Sequence, residues 1–527
     1  MAISNPAASS WRLNVQEIDR SSTIRGEASG IGAMVIDAPR GPMEPVYISK
    51  GEENRILNIF GKPSKNYPEI WEAIQYNTQD AMYISAPYSS DGLLGGILIS
   101  STGVTALGTG LDPDTGLSGY TFVDATEYMV IATTAPAGNW LGVTVSFNDE
   151  TEIFVLTLYM TEDGGTTWMD IGEYNISPVD GKTDGFGKNI FVEEVFENND
   201  FVQGLANSTA DVTTNGFTDV TTVTQFGVGD RGTAITASER TTAWNQFQSA
   251  STYPVDIFMD TSADPDTMAP IFSTLRDTYQ KYSSYLLPLP MGEDSATAIT
   301  TKETLGVSNR GLSFYWNHGR IKDVYNNSSF WTSLIGRIGK KYAQMTDIYN
   351  GGAPAWIDEN SHGGQLGAGI LELEYDPSES QLQQLDNAGI NALQFYPGYG
   401  TMITSHRTGQ SPNILSDTSW VAHSRLFDYI ISNILTNVLI YQIVKLNDEY
   451  HRRIAVTKGQ GLMDPILASG LLADYAIQCD RNNNDDNALA QRKFVYTLAL
   501  KVTPYSETIV FNFTNVGQTT EVSEVIA

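Results

Sequence analysis

The sequence predicts an α+β chain: a mixed α/β core, an inserted β-rich outer domain, and extended strands at both ends. Three observations lead there. The charge is concentrated in one block; that block reads as short alternating strands between turns; and both termini alternate apolar and polar residues, the N-terminal one without a local partner.

The 527 residues carry 31 Lys and Arg against 61 Asp and Glu, a net charge of -30. Such a surface repels phosphate, which argues against non-specific nucleic-acid binding and anionic-membrane docking. Residues 101–250 hold 21 of the acids and only four bases. Cys479 stands alone, so neither a disulfide framework nor a cysteine-based zinc cluster is expected. The opening MAISNPAASSW has neither the basic nor the apolar region of a secretory signal, and folding in a reducing cytoplasm is expected. The most apolar stretch, from Tyr429 to Val444, falls short of the ~20 residues a bilayer span needs.

Taken in order, WRLNVQEI alternates Trp11, Leu13 and Val15 with Arg12, Asn14 and Gln16, the period of a strand. A solitary amphipathic strand must join a sheet elsewhere. That sheet belongs either to another molecule, by strand addition, or to an edge of the chain's own fold, and the sequence leaves both open. Within 101–250 the strands are YTFVDATEYMVIAT, WLGVTVSFN, EIFVLTLYMT with its turn EDGG, and FVEEVFEN. Short runs separated by Gly, Asp and Asn predict a sandwich or barrel. Its charge places it at the periphery, where solvent screens repulsion between copies.

From Ala263 the pattern turns mixed. PDTMAPIFSTLRDTYQKY predicts a helix with Pro265 in its first turn, and YLLPLP a strand. SSFWTSLIGRIGKKYAQM predicts a helix, with Trp331, Leu334, Ile335 and Ile338 at helical spacing. ESQLQQLDNAGI predicts a short helix stopped at Gly389. The longest helix is expected from about Trp420 to Leu446. KFVYTLALKV then predicts a strand, and ETIVFNFTNV alternates Ile509, Phe511 and Phe513 with Val510, Asn512 and Thr514.

Site chemistry is scarce. His318, His362, His406, His423 and His451 form no HExxH pair and no metal spacing. DRNNNDDN places Asp485 and Gln491 where a calcium loop needs Gly and Glu, so a polar turn between strands is expected. No phosphate loop or nucleophile elbow occurs, and no GxGxxG follows a strand and opens a helix. The expectation is a structural protein and no enzyme, without catalytic residues, metal or cofactor.

Residues 30–61, GIGAMVIDAPRGPMEPVYISKGEENRILNIFG, resemble the start of the contractile tail sheath proteins of bacteriophages, on Arg40, Gly41, Pro42, Pro45, Val46, Phe60 and Gly61. Further on, Gly389, Ile390, Asn391, Arg407 and Thr408 match a second family segment, followed by Arg425, Asn447 and Asp448, and by the closing TPYSETIVFNF. The resemblance covers about 1–100 and 255–527. It implies a linking arm over 1–25, a sheath core over 26–100 and 251–505, an insertion over 101–250 and a second arm over 506–527. It also implies hexameric rings stacked around a tail tube, with baseplate and tail terminator proteins as further partners, in a virion tail assembled in the host cytoplasm. Trp11, Leu13, Val15, Ile509, Phe511 and Phe513 would then exchange strands between subunits. Arg452, Arg453 and Lys458 become candidates to face an acidic tube; the alternative is solvated helix-end residues favoured by the helix dipole. Two other readings stand beside it: a β-rich adhesin or capsid-type shell protein, and a carbohydrate-active hydrolase using paired carboxylates.

Overall fold

Eight strands form the main sheet of the computed structural model, which describes residues 30–136, 140–162, 164–197, 199–349, 352–355, 364–411 and 416–504. Their order is Gly400–Ile403, Ile390–Tyr396, Leu312–Trp316, Ser284–Pro288, Ile257–Asp260, Gly32–Val35, Met82–Ser85 and Val46–Ile48. The inner six run parallel, and the two outermost are antiparallel to their neighbours. A parallel sheet needs helical crossovers and so is covered on both faces. The pleat sorts residues accordingly. Met34, Met259, Leu286 and Tyr315 enter one core with the helices Glu53–Phe60, Glu69–Asn77 and Ile335–Tyr349. Ala33, Phe258, Tyr285 and Phe314 enter the other, with Ala237–Asn245, Pro265–Thr274, Ser295–Leu305 and Glu379–Asn387.

A second body of sheet interrupts this core. The chain leaves through Leu93 and returns at Asp230, which pair antiparallel with N–O distances of 2.7 and 2.9 Å. Between them lie two antiparallel four-stranded sheets: Val202–Ala206, Glu127–Thr133, Gly96–Ser100, Gly103–Ala106, and Val220–Gln225, Leu141–Asn148, Ile153–Met160, Met169–Ile176. Their facing residues, among them Ile97, Ile131, Val143 and Leu156, share one core. The β-rich segment therefore starts before residue 101 and ends before 250. The helix Ala237–Asn245 instead sends Ala243 and Trp244 into the core of the main sheet.

Three predicted elements differ. FVEEVFEN contains the short helix Val192–Val195, because Val192 and Phe196, four apart, both reach the sandwich core. SSFWT is the strand Ser328–Thr332, paired with Gly319–Asp323, and the helix begins only at Ile335. The long C-terminal helix stops at Ile434 and passes through a π turn, Leu435–Leu439, into a 3-10 turn, Ile440–Gln442. There the Thr436 hydroxyl bonds back to the Ser432 carbonyl at 2.9 Å, competing with the backbone ladder.

Two compact units result, divided among the described residues at Tyr429 and Ile430. The second unit contains the 20-residue helix Glu449–Ala468, which outlasts the one predicted to be longest, and the antiparallel pair Leu472–Gln478 and Thr497–Val502.

Candidate assembly surfaces

The motif residues hold the first unit together. Arg40 donates to the carbonyls of Asn58 (3.1 Å) and Leu57 (3.0 Å), in the last turn of Glu53–Phe60, and to Glu162 (2.7 Å) on the sandwich. Its guanidinium also lies 4.3 Å from the centre of the Trp140 ring. One cation thus satisfies a helix C-terminus and fastens the inserted sheets to the core. Gly41 has φ 115°, and a Cβ there would meet the Phe60 ring at 2.4 Å, so this turn requires glycine. Asn391 is fully buried; its side chain accepts from the Arg407 amide (2.6 Å) and donates to the Arg407 carbonyl (2.8 Å). Arg407 in turn forks onto Asp386 at 2.9 and 2.6 Å.

Buried charges cluster at the carboxyl ends of Gly32–Val35 and Ile257–Asp260. Glu69 accepts from Arg240 at 2.7 and 3.2 Å, from the Asp37 amide at 2.6 Å and from the Thr261 hydroxyl at 2.8 Å. Burial pushes Asp260 up to about 6 although Arg240 pulls the other way. Burial likewise lowers Arg231 to about 10, with Asp37 opposing. In open α/β sheets this is where ligands sit; here Glu69 and Arg240, both largely buried, fill the position with each other.

Two further constellations fix helices. Asp428 bridges Arg276 (2.5 Å) and Arg310 (2.7 Å), while Arg425 donates to the Tyr342 carbonyl at 2.8 Å. Glu72 accepts from the amides of Leu334 (2.8 Å) and Gly336 (2.7 Å) and from the Thr332 hydroxyl. It thereby supplies hydrogen-bond acceptors to the backbone amides at the start of Ile335–Tyr349. None of these networks was visible in the sequence, since each joins distant residues. Burial holds His318 and His406 down at about 4, the His451 Nδ1 lies 2.7 Å from the Asp448 Oδ1, and His362 lies outside the described residues. Among the described residues no group of three or more His, Cys, Asp or Glu is disposed to hold a metal ion.

The second unit presents surfaces of another kind. Leu472–Gln478 and Thr497–Val502 pair only with each other among the described residues. Tyr475, Ile477, Leu498 and Leu500 are half-buried on one face, and Asp474, Ala476, Gln478, Thr497, Ala499 and Lys501 are exposed on the other. The loop between the strands, DRNNNDDN, is a polar turn followed by the short helix Asp486–Ala490. At its centre Asn484, fully buried, donates to the Val495 carbonyl (2.8 Å) and accepts from the Val495 amide (2.8 Å). Ahead of the helix Glu449–Ala468 lies an exposed apolar run: Ile440, Tyr441, Val444, Leu446 and Tyr450.

Of the three basic candidates, Arg452 differs from the other two in its surroundings. It is buried, its Nη1 donating to the Asn447 carbonyl (2.9 Å) and Oδ1 (2.8 Å), so its charge is turned inward. Arg453 and Lys458 are exposed, and the Lys458 Nζ lies 4.5 Å from the centre of the Tyr441 ring. Trp11, Leu13, Val15, Ile509, Phe511 and Phe513 lie outside the described residues.

No protein-family model matches the chain, and no curated protein sequence matches it. Solved structures do. A sheath tail protein of Listeria innocua aligns over 90% of this chain and 96% of its own at 12% identity, TM-score 0.55. One from Desulfitobacterium hafniense aligns over 86% and 91% at 13% identity, TM-score 0.52. The contracted sheath complex of an extracellular contractile injection system aligns over 99% and 100% at 10% identity, TM-score 0.50. At these identities the likeness is one of fold, and the chain has the fold of the contractile tail sheath proteins.

Proposed function

We propose that this chain is the structural subunit of a contractile tail sheath. It polymerises as stacked hexameric rings around a tail tube, joins a baseplate and a terminator at the ends, and contracts to drive the tube through a bacterial envelope during genome delivery. The observation that carries this reading is the sheath fold running through at least 86% of the chain.

The strand pair in the second unit supports the linking mechanism. Two strands seldom stand alone in water, and open edges invite further strands. The amphipathic segments 11–18 and 509–514 have the period to supply them. Strand exchange keeps main-chain hydrogen bonds while subunits rotate, so the lattice slides without separating. Arg453 and Lys458, beside the exposed apolar run, are the proposed contact to an acidic tube.

Negative-stain microscopy of the purified chain tests the reading: striated tubes or rings are expected, and compact monomers at every concentration reject it. Removing residues 1–20 tests the arms. The truncated chain should melt as before yet form no tubes, whereas tubes of normal length would reject exchange through that segment.

A further inference from the structure

The acidic sandwich carries one spot of opposite character. Residues 93–230 include 20 Asp and Glu but only two bases, Lys182 and Lys188. Both lie in one loop, and between them Phe186 is 100% exposed. The loop is built to hold that ring out. The Asp184 amide donates to the Lys188 carbonyl at 2.9 Å, and the Asp184 carboxylate accepts from the amides of Phe186 and Lys188, both at 2.9 Å. The Lys182 ammonium pairs with Glu152 at 2.6 Å, and Gly187 takes φ 83° to close the turn. Lys188 is left as the exposed cation beside Phe186.

An ordered loop that keeps a phenyl ring in water forgoes the gain of burying it. An aromatic anchor beside a cation is the composition of an interface centre, and the complement it needs is an acidic surface. The rest of the same domain is one. We propose that the Phe186–Lys188 loop docks on the acidic sandwich of a neighbouring copy of this chain. This rests on the sheath reading, in which the lattice holds copies together at high effective concentration. A freely diffusing anionic partner would have to approach against the charge of the whole domain, whereas a tethered copy needs only local complementarity.

Tubes assembled from isotopically labelled and unlabelled subunits, treated with a carbodiimide, test this. The reagent activates a carboxylate, and a lysine amine displaces it to leave an amide. Mass spectrometry should find Lys188 joined to an Asp or Glu between 93 and 230 on an oppositely labelled copy. Phe186→Ala keeps the amine and should lower the yield of that mixed-label link several-fold, with the subunit's melting temperature unchanged. Links confined to one copy, links to any other region or protein, or an undiminished yield in Phe186→Ala overturn the proposal alone. Failure of the unmodified chain to form tubes overturns the sheath reading and this inference with it.

Discussion

Glu72 shows how far burial shifts a single group. Burial pushes its carboxyl up from the ordinary value near 4.5 to about 7, against the pull of Thr332 and the Gly336 and Leu334 amides. The folded chain then holds this proton more tightly than the unfolded chain. Its share of stability is full below pH ~4.5 and is lost as pH rises through about 7. Relative to Glu72→Gln, which cannot ionise, the unmodified chain should lose up to ~1.4 kcal/mol per pH unit across that window. Urea midpoints at a series of pH values measure it, and parallel curves for the two proteins would refute it. Asp428 makes the complementary case. Asp428→Asn leaves the buried Arg276 without its carboxylate and should cost ~3–5 kcal/mol, read as a lower denaturant midpoint.

Elements in this chain meet through glycine. A Cβ at Gly336 would lie 2.0 Å from the Glu72 carbonyl oxygen, and one at Gly339 2.1 Å from the Met259 sulfur. The helices Glu69–Asn77 and Ile335–Tyr349 therefore approach as closely as they do because those positions carry no side chain. In the second unit Gly459 plays this part: a Cβ would come within 1.9 Å of the Tyr496 hydroxyl and 3.0 Å of Ile477. Gly459→Ala should cost ~1–3 kcal/mol through overpacking, although alanine is the better helix former. A thermal melt showing stabilisation would mean that the strand pair yields to the helix. The helix Glu449–Ala468 holds Gly459, Gly461 and Pro465, all poor helix formers, yet Asp448 caps its start by accepting from the His451 amide at 2.8 Å.

For the whole molecule, the paired exit and return at Leu93 and Asp230 lead to a prediction that the sandwich can be removed. Joining Gly92 to Arg231 through a short flexible linker should leave a folded first unit, since the main sheet is built from residues on either side. The melting temperature should fall modestly, because Arg40 loses Glu162 and Trp140 and Arg55 loses Asp200. Circular dichroism and microscopy would check it, and a deletant that cannot fold would show that the sandwich is integral to the core. On the sheath reading the deletant still forms tubes.

The sequence by itself determined what depends on near neighbours. The strands Leu141–Asn148 and Ile153–Met160 showed their period over eight residues each, and the acidic segment showed its charge. Tertiary structure alone decided the rest. Gly32–Val35 and Ile257–Asp260 span four residues each, too few to reveal a period, and both faces are buried, so no alternation marks them. Arg240 and Glu69 stand 171 positions apart, and Arg276 and Asp428 stand 152 apart. Residues so distant become partners only when crossovers bring their elements together. Whether a base such as Arg452 faces solvent or its own chain was settled in the same way, by the packing of its helix.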